Sequence, residues 1–234
     1  MANGVTTAPS WDQLLNIGIG YVKEQQPAWI FIAVTVALQF LLGLVASSPA
    51  LSILLSLVAM VAGVYLTLML SRHALTGEWG LKDSDHPSAL RIIGMVILVV
   101  FGASLGGGLL IGLLVAALGV VGAVIGGVAL VLLILWLVAR FGFYVPALSV
   151  EHPTSLGQAF AQSEPYWARL MAVMVGPGLI ALAINYLLAT LISGPFGLVL
   201  AAIIGGFVVA VGQAITIAAV AYLYANFVRS AQPQ

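Results

Sequence analysis

Four residues of one segment carry the side chains from which chemistry is usually built. Arg140, Glu151, His152 and Ser163 lie within residues 140–164 (RFGFYVPALSVEHPTSLGQAFAQSE), with Pro146 between them. A carboxylate beside an imidazole can move a proton, and a guanidinium can hold a phosphate in two-pronged fashion. An enzyme acting on lipid headgroups would need that set. Acids next to histidines also recur, as Asp85-His86-Pro87-Ser88 and Glu151-His152-Pro153-Thr154, and such groups could bind a divalent cation if they converged. The spacing argues against both ideas. No close His/Glu pair falls on one helix, and acid, proline and Ser/Thr in succession are how helices commonly start. Ser155 with Gln158 has the form of a capping box. The segment is therefore expected to be a cytoplasmic-face motif with no catalytic residue, no metal and no cofactor.

Other chemistries lack their residues. There is no Ser/His/Asp set and no HExxH pattern, and Gly106-Gly107-Gly108 is buried in an apolar run where it cannot cradle a nucleotide. With no cysteine there is no thiolate or disulfide chemistry. Seven Lys/Arg balance seven Asp/Glu and are spread singly, which leaves no basic stripe for nucleic acid. The polar residues inside the apolar runs are chiefly Gln39, Asn185 and Gln213, with Thr35, Ser56, Thr67, Ser104, Thr190 and Thr216. None is ionisable, whereas ion-coupled transporters usually keep such a group near the bilayer centre. Hydrogen bonds between helices are their expected use, and a polar path for a small solute is the alternative.

The elements that must position these residues are membrane helices. Hydrophobic residues make up 62% of the chain and charged residues 6%, against roughly a quarter charged in soluble domains. Residues 1–9 read as a disordered tip. Ser10 and Gln13 form a capping box that opens an amphipathic helix over 10–26, whose apolar arc includes Trp11, Leu14, Leu15 and Val22 and is expected in the membrane interface, with a soluble helix packed on a cytoplasmic neighbour as the alternative. Spans follow at about 28–46 and 51–70, joined by Ser47-Ser48-Pro49-Ala50. A polar loop over 73–90, with a short helix after His86-Pro87, leads to an uncharged run at 92–139. One helix of that length would measure about 72 Å, so it must be two spans, about 92–115 and 121–140, reversing near Gly119–Gly122. The fifth span covers 166–191, where Pro177 is expected to kink it, and Ser193-Gly194-Pro195 turns into the sixth, 196–228. That last run is longer than a bilayer needs, so either its end, with Tyr222, Tyr224 and Phe227, projects beyond the interface or the helix tilts. A tail, 230–234, ends the chain. The expected fold is an all-α integral membrane protein with six transmembrane helices arranged as three hairpins and amphipathic interfacial helices on the cytoplasmic side.

Charge supports that topology. Six spans put both termini, every Lys/Arg, every acid and every histidine on one side, which the positive-inside rule makes the cytoplasm. The pairs Gly102/Gly106, Gly108/Gly112 and Gly122/Gly126 have the small-xxx-small spacing that lets helices approach closely, within the chain or across an oligomer interface.

The stretch Pro146-Ala147-Leu148-Ser149-Val150-Glu151, the run Gln158-Ala159-Phe160-Ala161-Gln162-Ser163 after Ser155, and the tail Ile215–Tyr224 resemble the YciC-like bacterial inner-membrane proteins. They also resemble the membrane domain attached to some glycerophosphodiester phosphodiesterases. The resemblance implies six spans and an inner-membrane location. The phosphodiesterase barrel has no counterpart here, so its chemistry is not implied. The expected function is non-enzymatic: a structural or accessory subunit that packs through its glycine-rich helices, as a homo-oligomer or in a membrane-protein complex, in contact with membrane lipids. A carrier or passive channel for a lipid or uncharged solute is the alternative, and a lipid-headgroup enzyme is the second.

Overall fold

The computed structural model describes residues 9–45, 48–152, 154–191 and 195–228. Among them every element is helical: α1 (Trp11–Glu24), α2 (Gln26–Leu44), α3 (Pro49–Thr76), α4 (Asp85–Leu118), α5 (Val120–Arg140), α6 (Tyr144–Ser149), α7 (Leu156–Gln162), α8 (Trp167–Leu191) and α9 (Pro195–Leu223), which continues through a π-helical turn, Tyr224–Val228. Four stretches are long and apolar enough to cross a membrane: Gln26–Leu44, Pro49–Thr76, Val120–Ser149 and Ile203–Val228. The expected tip at 1–8, the tail at 230–234, Ser47, Pro153 and the Ser193-Gly194 turn lie outside the described residues.

Local chemistry sets the helix ends. The Gln13 side chain accepts the Ser10 N–H at 3.0 Å, and at α7 Ser155 and Gln158 exchange both bonds of a capping box, at 2.8 and 3.2 Å. Gly77, at φ 76°, closes α3 by donating to His73 O at 2.8 Å. The α4–α5 reversal is a single residue, Gly119, at φ 60° and ψ −137°, which a side chain would not tolerate. The short helix expected near His86-Pro87 does not stand apart. It is the first turn of α4, a continuous helix of 34 residues, because a proline inside the first turn removes only an N–H that has no helical partner.

Helix α9 is the hub, packed against α1, α2, α3 and α8. Leu14 of α1 sits with Ala219, Val220 and Leu223, Gly18 meets Ile215, and Val22 sits with Ala210 and Ala214. Rising numbers on α1 match falling numbers on α9, so the two run antiparallel side by side. Gly18 permits the approach, since a Cβ there would stand 2.5 Å from Ile215 O. Of the arc expected to face lipid, Leu14 and Val22 are buried in protein, Leu15 is half-buried and Trp11 stays exposed.

The end of the last helix is packed inside protein. Tyr224 is fully buried and packs with Phe143, while Phe227 packs on Tyr166. Tyr224 and Phe227 are enclosed by α1, α8 and the segment after α5, and Tyr222 alone of the three is exposed. Segment 140–164 is likewise less open than its polarity suggests. Tyr144, Pro146, Ala147, Leu148 and Ser149 of α6 are all buried, inserted between α3 and the start of α4.

Candidate functional site

Helices α3, α4, α5, α8 and α9 touch in sequence around a ring, α3–α4–α5–α8–α9–α3, and α6 lies across one end of it. Inside is a cavity of about 250 Å³. Its walls are Thr67 and Ser71 of α3, Met95, Val96 and Val99 of α4, and Ile134 and Val138 of α5. Met174 of α8 with Thr216, Ile217 and Val220 of α9 complete them. Phe141, Gly142, Val145 and Pro146 form the floor. Among the described residues no charged side chain lines it.

The floor is pinned at both ends. On one side Ser163 Oγ hydrogen-bonds Arg140 O at 2.6 Å, shared with Phe160 O at 2.8 Å, and so ties the end of α7 to the end of α5. The Arg140 guanidinium lies over the Phe160 ring, 3.9 Å from its centroid, with Trp136 at 5.8 Å and the exposed Glu164 carboxylate at 3.8 Å. Cation–π attraction is strengthened where water is excluded, as at this buried arginine.

On the other side Arg72, the last buried residue of α3, donates from Nε to Ser149 O at 2.9 Å and from Nη1 to Gly80 O at 3.0 Å. Its Nη1 and Nη2 both engage the Asp85 carboxylate, which also accepts the Lys82 N–H at 2.8 Å. One guanidinium therefore ties together α3, the 77–84 loop, the start of α4 and the end of α6. Next to it, Ser84 Oγ donates to Glu151 Oε1 at 2.8 Å. Glu151 holds φ 58°, the left-handed region, as the residue that ends α6; His152 N–H then bonds back to Ala147 O at 3.0 Å.

Titration is perturbed at the periphery of this knot. The Lys82 ammonium, 2.6 Å from Glu78, holds that exposed carboxyl below its usual range, and burial pushes the Tyr21 phenol up, so it stays protonated in its 2.6 Å bond with His73 Nδ1.

The residues singled out from sequence are thus divided. Arg140 and Ser163 meet, and Pro146 is in the floor. Glu151 bonds Ser84, and His152 bonds Ala147 O through its backbone N–H; neither shares a hydrogen bond with Arg140 among the described residues. The six glycines also separate. A Cβ on Gly122 would lie 2.0 Å from Leu114 O and one on Gly126 2.8 Å from Ile111 Cγ1, so both serve the α4–α5 contact. A Cβ on Gly102, Gly106, Gly108 or Gly112 would meet no neighbouring side chain or helix within 4 Å among the described residues, while Gly107 packs on Leu130. Gln39 approaches Gly206 of α9, Gln213 is exposed, and the side chains of Asn185 and Ser104 are outside the described set. Among the described residues no group of three or more acids and histidines is placed to hold a metal ion.

Sequence reasoning missed Arg72, Asp85, Ser71 and Ser84 as a set. The one available signal was a lone arginine directly after an apolar run, with an acid opening the next helix.

No protein-family model, no curated protein and no solved structure matches this chain.

Proposed function

We propose that the chain is a non-enzymatic, six-span protein of the bacterial inner membrane, akin to the YciC-like proteins, that assembles through α4 with copies of itself or with a partner membrane protein. In this reading α4 and α8 are the third and fifth spans, the α6 side faces the cytoplasm, and both termini lie there. The observation that carries it is the split among the glycines: Gly107, Gly122 and Gly126 are consumed inside the α4–α5 hairpin, and Gly102, Gly106, Gly108 and Gly112 are left open beside exposed Leu105, Leu109 and Leu113. Open small residues flanked by large ones are the pattern of close helix contacts in lipid. Native mass spectrometry of the protein, gently extracted from its own membrane, tests it. A defined homo-oligomer or a stoichiometric complex is expected, and a strict monomer sinks the proposal.

The carrier reading keeps one support, the cavity inside the helix ring. The headgroup-enzyme reading is weakened, since Arg140, Glu151 and His152 are engaged in separate contacts.

A further inference from the structure

We infer that the ring cavity is a binding site for an uncharged single-chain amphiphile, such as a fatty alcohol or a protonated fatty acid, held tail-outward with its polar end on Ser71. The inference rests on the chain being in a bilayer, as proposed above, but not on its oligomeric state.

The cavity suits hydrocarbon and not water. A water molecule needs two to four polar partners, and only three hydroxyls line these walls. Two of them already donate elsewhere, Thr67 to Gly63 O at 2.7 Å and Thr216 to Val173 O at 3.1 Å. Apolar cavities of roughly 150 Å³ stay dry and take up small apolar molecules, and this one is larger. Left empty, its walls would forfeit their dispersion contacts.

The third hydroxyl sets the polarity of the ligand. Ser71 is 1% exposed, lines the cavity, and makes no hydrogen bond with the described residues. A buried hydroxyl without a partner is costly, so a ligand that supplies one is favoured. That partner must be uncharged. The nearest cation, Arg72, is directed away into Asp85, Gly80 O and Ser149 O, and no other charge lines the site.

Direction follows from the packing. The cavity is closed on the Ser71 side by its floor, Phe141, Gly142, Val145 and Pro146, and the neighbouring Phe143 and Ala147 of the same segment are fully buried. A bulky headgroup has no room there. Beyond Ile134 the cavity side of α5 is open, since Val131, three residues further along the same face, is more than half exposed. From the level of Phe141 to that of Ile134 is about 10 Å along α5, so a longer chain would continue into the bilayer.

The test uses the full-length protein in nanodiscs with two photoactivatable, diazirine-bearing probes: a fatty alcohol, and a phosphatidylethanolamine labelled in its acyl chain. Cross-links are mapped by mass spectrometry. The fatty alcohol is expected on Met95, Val99, Ile134 and Met174, to be displaced by unlabelled fatty alcohol, and to be lost at least about tenfold in Val99→Phe, which fills the cavity. Ser71→Ala should weaken it about fivefold, the scale of one hydrogen bond, and Ser71→Thr should restore it. Ile134→Phe fills the same space from α5 and replaces Val99→Phe if that variant does not fold. Cross-links spread over exposed Leu98, Leu109 and Val124, with yields indifferent to both filling variants, would mean annular lipid only and overturn the site. Phosphatidylethanolamine in the cavity with equal yield in wild type and Ser71→Ala would mean an ordinary lipid tail, and would overturn the polar-ended ligand.

Discussion

The Arg72 guanidinium and the Asp85 carboxylate meet inside the protein, with side chains only 2% and 1% exposed, and join the end of α3 to the start of α4. Every described oxygen and nitrogen of this pair is used: the carboxylate also takes the Lys82 N–H, and the guanidinium also reaches Gly80 O and Ser149 O. A buried pair contributes little over an apolar replacement, because removing both charges from water offsets their attraction. Breaking one side is different. Arg72→Met should destabilise the protein by about 3–5 kcal/mol by leaving Asp85 buried and uncompensated, while Arg72→Met with Asp85→Leu should recover most of that loss. Thermal unfolding in detergent reads both. Equal losses in single and double variants would show that the knot acts through its backbone bonds instead.

Ser163 is buried at the end of α7 with its hydroxyl between Arg140 O and Phe160 O. Ser163→Ala leaves the buried Arg140 carbonyl without that donor and should cost about 1–3 kcal/mol. Ser163→Thr keeps a hydroxyl and should cost less. The loosened α7 should also show in the neighbouring Trp136 fluorescence, since Phe160 packs on Trp136 with centroids 5.6 Å apart.

What could be read from the chain, and what could not, follows from the range of each interaction. Apolar runs and caps are local, so the helices, the Gly119 reversal and the Ser155–Gln158 box are visible in sequence. Contacts between distant segments are not. Ser84 and Glu151 are 67 residues apart, Arg72 and Ser149 77, and no periodicity announces either bond. Composition misled at α6, where Tyr144 and Ser149 look solvated but are buried because α3 and α4 supply their partners. Nor does composition show the packing of Tyr224, whose enclosure depends on α1 lying along α9. The cavity is a property of five helices at once and has no sequence signature.

Glu151 is the one non-glycine residue at positive φ among those described, and its carboxylate is bonded to Ser84. Two effects therefore oppose each other when it is replaced. Ala keeps the left-handed strain and loses the bond, so Glu151→Ala should destabilise by roughly 0.5–1.5 kcal/mol. Gly loses the same bond but relieves a strain of roughly 1–2 kcal/mol. Glu151→Gly should then be more stable than Glu151→Ala by about 1 kcal/mol in chemical or thermal unfolding. The opposite order would mean that φ at this position relaxes without help from glycine.

The glycines of α4 and α5 give a prediction in which fold and assembly separate. Gly126→Leu places a side chain where even a Cβ would stand 2.8 Å from Ile111 Cγ1 and 3.3 Å from Ile111 Cα, so the α4–α5 hairpin must open. Overpacking of this kind costs about 1–3 kcal/mol or more, and the variant should unfold at lower temperature whatever its oligomeric state. For Gly106→Leu with Gly108→Leu, an added Cβ at either position would have no side chain or neighbouring helix among the described residues within 4 Å, and leucine is the better helix former. Monomer stability should hold or rise slightly. If α4 is the contact between copies or with a partner, the double variant should lose the complex in native mass spectrometry while its unfolding midpoint in detergent stays. A complex that survives the two leucines would move the interface off both the Gly102/Gly106 and the Gly108/Gly112 stripes of α4, because no close helix approach on either could accommodate them.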